Sequence, residues 1–158
     1  MTGLRPLTAA DAPAIRRIYS GAAVSYLGRP EMTEQEAERY VVEVAKWAAA
    51  DPVAQYILGV DAAGDLVGVV KLGRRPNAHG RVSYVLRQDT WGHGYATAAV
   101  QQLITFAAAA GFDSLGAKHD PGNPASGRVL TKAGFRRLGV SGGMVEYRLA
   151  LTATPATA

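Results

Sequence analysis

The sequence predicts an α+β domain built on a mixed sheet, and three observations carry that expectation. Three strand-like runs follow one another between Gln55 and Leu86, separated only by turn and loop residues, so they are expected to pair antiparallel. A helical pattern then opens directly after a strand, at Trp91-Gly-His-Gly94, and another strand follows it, which is the signature of a β-α-β crossover. No internal repeat or linker interrupts residues 1–150, so one domain is expected.

Residues 3–7 (GLRPL) read as a short edge strand, because Pro6 has no amide to give a central ladder. Thr8-Ala-Ala-Asp11 has the pattern of a capping box with aspartate in the acidic position, and Ala14, Ile15, Ile18, Tyr19 and Ala22 follow at helical spacing. After a loop over 26–33, a second capping box, Thr33-Glu-Gln-Glu36, opens an amphipathic helix marked by Ala37, Tyr40, Val41, Val44, Ala45 and Ala48. Residues 55–60 and 66–72 are strand-like and are joined by Asp-Ala-Ala-Gly-Asp, good hairpin chemistry. A polar loop is expected over 73–80 and a strand over 81–86. The helix after Gly94 carries Ala96, Ala99, Val100, Leu103, Phe106, Ala107 and Ala110 on one face, and Gly111 suits its C-terminal cap. A strand over 114–119, a short helix over 123–135 and closing strands over 136–139 and 144–150 complete the order β-α-α-β-β-β-α-β-α-β-β. The tail 151–158 is expected to be disordered.

With 158 residues the chain is large enough for a sizeable core, and 48% hydrophobic against 19% charged residues is an ordinary soluble balance. No apolar run approaches the roughly 18 residues needed to span a bilayer, and the N-terminus lacks a secretory apolar segment, so a cytoplasmic protein with no membrane partner is expected. The absence of cysteine excludes disulfides, cysteine-ligated zinc and a thiol nucleophile, and no metal site is expected. The net charge of +4 and pI of 9.6 come from scattered basic residues without aromatic interleaving, which favours a polyanionic small ligand over nucleic acid.

Such a ligand has an obvious place. The first amides of a helix have no intrahelical partner and carry part of the macrodipole's positive charge. Glycines at 92 and 94 let the backbone bend there and let an anion approach without a Cβ in the way. Gly92, His93, Gly94, Tyr95, Ala96 and Thr97 thus form a candidate phosphate cradle, donating through backbone amides. The same residues also suit an ordinary tight connection. A dinucleotide fingerprint would need glycine where Thr97 stands, and the lysine of a P-loop is missing.

A second motif narrows the reading. Gln88-Asp-Thr-Trp-Gly-His-Gly-Tyr-Ala-Thr97, followed by Asn123-Pro-Ala-Ser126 and Leu130-Thr-Lys-Ala-Gly-Phe135, resembles the GNAT superfamily of acyl-CoA N-acyltransferases, most closely its RimJ/RimL-like branch. That branch often has glutamate where this chain has Ala98. The resemblance implies a GNAT-like fold with a V-shaped opening between the fourth and fifth strands, and an acetyl-CoA-dependent N-acetyltransferase with a direct transfer step. Acetyl-CoA would run along the backbone of Tyr84, Val85, Leu86 and Arg87 and rest its pyrophosphate on amides 92–97. An amine acceptor would approach from the side shaped by the 26–33 loop, with Tyr26 and Glu31 as candidate contacts. The oligomeric state is left at monomer or homodimer. A non-catalytic acyl-CoA or amine-binding module on the same fold is the alternative.

Individual roles follow from the chemistry of transfer. A lysine-like amine is neutral in only about one molecule in 2,500 at pH 7, whereas a departing thiol needs at most about 2 kcal/mol of help. Ser126 matches the family's serine and is a candidate donor to the leaving sulfur; a helix cap is its bland alternative. Asn123 is expected to touch the cofactor, to cap the next helix, or both. His119, with an intrinsic pKa suited to base work, is the first candidate for the base; His79 and Glu31 are weaker ones. Arg128 and Lys132 are read as solvated helix charges or as contacts of the 3′-phosphate.

Overall fold

The structure, a computed structural model, describes residues 2–151. Its elements are β1 (Gly3–Arg5), α1 (Ala12–Ile18), α2 (Glu34–Ala49), β2 (Gln55–Ala62), β3 (Asp65–Arg75), β4 (His79–Leu86), α3 (Tyr95–Ala109), β5 (Ser114–His119), α4 (Pro124–Lys132), β6 (Arg136–Ser141) and β7 (Met144–Ala150). The expected order is therefore the observed one. The strands form one seven-stranded sheet in the order β1-β2-β3-β4-β5-β7-β6, in which only β4 and β5 pair in parallel.

Both capping boxes are present. The second has Thr33 accepting from the Glu36 amide at 3.1 Å while Glu36 accepts from the Thr33 amide at 3.0 Å. In the first, Asp11 accepts the Thr8 amide at 2.7 Å and both prongs of the Arg5 guanidinium at 2.8 and 2.9 Å, which locks β1 to the start of α1. Arg5 holds the Asp11 carboxyl below the usual carboxylate range. A lowered carboxyl pKa stabilises the fold above the ordinary carboxylate pKa, and that stability is lost as pH falls through the folded-state value. Asp11→Asn is accordingly expected to flatten the acid limb of the stability–pH curve, as read by thermal unfolding.

The helical spacing that runs on to Ala22 does not make one helix. α1 stops at Ile18, Gly21 is left-handed at φ +57°, and a short 3-10 turn covers Gly21–Val24. Side chains distant in sequence hold this break: Glu31 accepts from the Gly21 amide at 3.0 Å and Gln88 from the Ala22 amide at 2.9 Å. The polar loop expected over 73–80 is instead a hairpin, with β3 and β4 paired out to Arg75↔His79 and the turn at Asn77 and Ala78 in the left-handed region. Polar strand ends that project past the core lose the apolar alternation by which strands are read. The tail lies outside the described residues except for Leu151, whose amide donates to the Asp113 carbonyl at 2.9 Å.

Two cores lie on the two faces of the sheet. α1 and α2 cover one face with Ile15, Ile18, Val41 and Val44 against Ile57, Val69 and Val85. α3 and α4 cover the other with Val100, Leu103 and Leu130 against Val60, Val70, Leu72 and Leu115. β4 and β5 pair only at His79↔Ser114, Gly80↔Leu115 and Arg81↔Gly116. Beyond Arg81 the two strands diverge, β5 continues against β7 alone, and β4 is left with an open edge.

Candidate active site

The divergence of β4 from β5 opens a cleft of ≈ 400 Å³. β4 lines it with Tyr84, Val85 and Leu86, and the turn into α3 lines it with Gly92, Gly94, Tyr95, Ala96 and Thr97. α4 adds Asn123, Ser126, Arg128 and Lys132, and the segment after α1 adds Ala23, Tyr26 and Leu27. Segments about a hundred residues apart in sequence meet there: the Tyr26 hydroxyl donates to the Gly122 carbonyl at 2.9 Å, joining the N-terminal loop to the turn before α4.

The turn has the geometry its glycines allow. Gly92 and Gly94 have φ of +82° and +77°, and nothing lies within 4 Å of where either would carry a Cβ. Gly94 is the N-cap of α3, no side chain caps the helix, and its first turn holds no acid. The first bond of the helix is Ala98 N–H to Gly94 O at 3.1 Å, so the amides of Tyr95, Ala96 and Thr97 have no partner within the helix. An uncapped, unneutralised helix start beside an open cleft is a candidate site for an anion.

The β4 edge supplies a second set of groups. The Arg87 amide donates to Val67 O at 2.8 Å, so strand alternation also commits Val85 to β3 and turns the main-chain groups of Tyr84 and Leu86 towards the gap. The Leu86 carbonyl already accepts from the Trp91 indole at 3.0 Å. The Tyr84 N–H and C=O and the Leu86 N–H remain for an extended ligand laid along the strand. Arg87, expected among the cofactor contacts, does not line the cleft: its amide serves β3 and its guanidinium pairs with Asp65 and Asp89. Val85 contributes surface only. His93 also stands away from the cleft lining, its ring stacked on Tyr95 with centroids 5.4 Å apart.

On α4, Asn123 occupies the N-cap position but makes no side-chain capping bond, which leaves its amide group free for a ligand. Ser126 is no cap either. Its Oγ lies 2.7 Å from the Tyr84 hydroxyl, which is also 3.1 Å from the Ser126 carbonyl. Burial pushes the Tyr84 phenol up to about 12, so it stays protonated and can donate to Ser126. When it donates to Oγ and not to the carbonyl, the Ser126 proton is free to point into the cleft. Sequence reasoning missed Tyr84 as a side chain, and period-2 alternation gave only its face.

The base candidates are not brought together. His119 is 7% exposed and lies among the core side chains under α4. Its Nδ1 is 2.7 Å from the Asp120 carbonyl and its Nε2 is 3.3 Å from the Tyr147 hydroxyl; with Nδ1 protonated, Nε2 accepts from Tyr147. A Cβ on Gly127 would come within 2.8 Å of that Nε2, so α4 seals the ring from the cleft. The expectation that His119 acts as the base is corrected on this geometry. His119→Ala is expected to cost roughly 1–3 kcal/mol of stability by leaving the Tyr147 hydroxyl unpaired, with no change in the acid limb of the pH–rate profile. Glu31 is spent on the Gly21 amide and stays outside the lining, so Tyr26 alone of the two acceptor candidates reaches the cleft. Among the described residues, no aspartate, glutamate or histidine lines it.

The family model for the acetyltransferase (GNAT) domain matches residues 2–136. Solved structures share the fold at low identity. The RimL ribosomal L7/L12 alpha-N-protein acetyltransferase in complex with coenzyme A is 18% identical with a TM-score of 0.83, over 96% of this chain and 95% of that one. An aminoglycoside acetyltransferase in complex with coenzyme A is 16% identical with a TM-score of 0.80, over 97% and 96% of the two chains. The spermidine N-acetyltransferase from Vibrio cholerae, in complex with coenzyme A and spermine, is 15% identical with a TM-score of 0.79, over 96% of each. No curated protein matches the chain in sequence.

Proposed function

The chain belongs to the GNAT acetyltransferase family, and from that premise we propose that it is an acetyl-CoA-dependent N-acetyltransferase acting on a primary amine of a small molecule or a protein N-terminus. One observation carries this reading: an open helix start, an unpaired strand edge and a hydroxyl pair line the same cleft. The amides at the start of α3 would hold the pyrophosphate, with Arg128 and Lys132 nearby for further phosphate charge. The Tyr84 and Leu86 main chain and the Asn123 side chain would hold the pantetheine arm. Bound there, acetyl-CoA supplies an activated acyl thioester. Ser126, polarised by Tyr84, donates to the sulfur as charge develops on it. Tyr26, Leu27 and Ala23 form the acceptor's side of the opening. The three similar structures are an alpha-N-protein, an aminoglycoside and a spermidine acetyltransferase, a range that supports an amine acceptor and selects none.

With no carboxylate or imidazole on the cleft wall, the chain admits its acceptor as the neutral amine or strips its proton to water. kcat/KM is therefore expected to rise tenfold per pH unit up to the acceptor's own pKa, and to move with that pKa across a series of amines. An inflection that stays near pH ~6.5 for every amine would reveal an enzyme base instead. Among the described residues no helix is long and apolar enough to cross a membrane. We propose a cytoplasmic enzyme, monomer or homodimer, with no metal, nucleic-acid or membrane partner. Release of free CoA across a panel of amine classes tests it. Tight acetyl-CoA binding with no release from any class would favour the non-catalytic binding module.

A further inference from the structure

A second cavity, ≈ 240 Å³, lies where β4 and β5 are still paired. His79 and Arg81 line it from β4, Gly116 and Lys118 from β5, and Glu146 and Arg148 from β7, while β6 contributes Leu138. By strand alternation, His79 and Arg81 project to the face opposite Tyr84, the face that α1 and α2 cover only over the β2–β4 side. Three permanent cations and a histidine thus surround one carboxylate. Among the described residues, Arg81, Lys118, Arg148 and Glu146 make no ion pair within 4.0 Å; Glu146 stands opposite Lys118 in register, and the two arginines have no carboxylate of their own in the cavity.

The histidine is built into this wall. Its Nδ1 lies 2.7 Å from the hydroxyl of Ser114, a residue 7% exposed. The ring lies over Gly116, where a Cβ would come within 2.8 Å of Nε2, so only glycine leaves room for it. When Ser114 donates to Nδ1, Nε2 carries the proton and is a donor with no protein partner. Burial first, then Arg148, Arg81 and Arg75, lowers the His79 pKa. The charged groups facing the ring are therefore those three arginines, with Lys118 and Glu146 across the same cavity.

We propose that this pocket is a subsite for an anionic oxyacid group, a phosphate or a carboxylate, separate from the cradle at the start of α3. The volume suits one such group, held by the Arg81 and Arg148 guanidinium forks and the His79 Nε2–H. The group has two possible sources. It can be a free anion, or it can be the acidic substituent of the amine acceptor, which rests on the proposed function. In the second case the acceptor lies on the α1/α2 face and reaches the transfer site through the gap where β4 and β5 diverge, since Arg81 and Tyr84 are about 10 Å apart along β4 and on opposite faces of it.

Histidine NMR of the full chain with inorganic phosphate, against chloride at equal ionic strength, tests the site without turnover. The His79 resonances should move saturably and its titration midpoint should rise by about one unit, because a nearby anion favours the charged ring. The Arg81→Gln/Arg148→Gln variant should lose that response. A response confined to His93 would put phosphate in the α3 cradle alone and overturn the proposal, as would no phosphate response at all joined to unchanged acceptor kinetics in the variant. The second arm compares amines matched in pairs, with and without an acidic group. A tenfold rise in KM for the acidic member only, at unchanged kcat, identifies the acceptor as the source. Phosphate binding with unaltered kinetics identifies a free anion. Failure of every amine to turn over would sink the acetyltransferase reading and leave the phosphate arm intact.

Discussion

Gly94→Asp is expected to lower acetyl-CoA affinity at least tenfold while leaving the protein folded. The position takes the side chain without a clash, since nothing lies within 4 Å of its Cβ. Its φ of +77° disfavours most residues, but aspartate is among those that tolerate the left-handed region. The new carboxylate would sit at the uncapped start of α3, where a negative charge favours the helix and opposes a phosphate. Each charge-assisted hydrogen bond lost to the ligand costs roughly 1.5–3 kcal/mol, so one bond already accounts for a tenfold effect. Gly94→Ala separates charge from backbone: it pays the left-handed strain of about 1–2 kcal/mol in stability and should lose less affinity than aspartate. Calorimetry on the two variants reads both quantities. Unchanged affinity in folded Gly94→Asp would take the phosphates away from this turn.

The geometry of that turn was the most legible part of the chain, because it is local. Gly92, Gly94 and the helical pattern after them lie within one short stretch, and backbone amides need no particular side chain to act. The topology was legible for the same kind of reason, since strand and helix periods repeat over neighbouring residues. What could not be read is what depends on register between distant elements. Tyr84 meets Ser126 across 42 positions only because β4 diverges after Arg81 and α4 lies over the gap. Gln88 reads as part of the α3 motif, yet it shapes the segment after α1 by fixing the Ala22 amide. His119 does carry a signal in the sequence. It shares strand parity with Leu115 and Ala117, both buried, so the core face was its place from the start. Arg87 and Glu31 were lost to partners, Asp65 and Asp89 for one and the Gly21 amide for the other, that no local pattern announces.

Ser126→Ala is expected to cut kcat ten- to thirtyfold with acetyl-CoA affinity nearly unchanged. The ceiling comes from the leaving thiol: with a pKa near 8.5 it needs about 2 kcal/mol of help at pH 7, and a donor to the sulfur cannot supply more than that need. The interaction strengthens only as the C–S bond breaks, so the loss falls on kcat and not on ground-state binding. It should shrink as pH rises past the thiol's pKa. The hydroxyl pair adds a sharper test. Tyr84 sits 2.7 Å from Ser126 Oγ and stays protonated, its phenol pushed up to about 12, well beyond the assay range. Tyr84→Phe removes that partner but leaves the serine in the cleft, so it should lower kcat several-fold, less than Ser126→Ala does. If the two hydroxyls act as one device, the double variant will be no slower than Ser126→Ala alone, because the tyrosine has nothing left to polarise. Fully additive losses would separate them and leave Tyr84 acting on kcat independently of the serine. An unaltered kcat in Ser126→Ala, with the hydroxyl's loss visible only as lower thermal stability, would remove the serine from the chemistry.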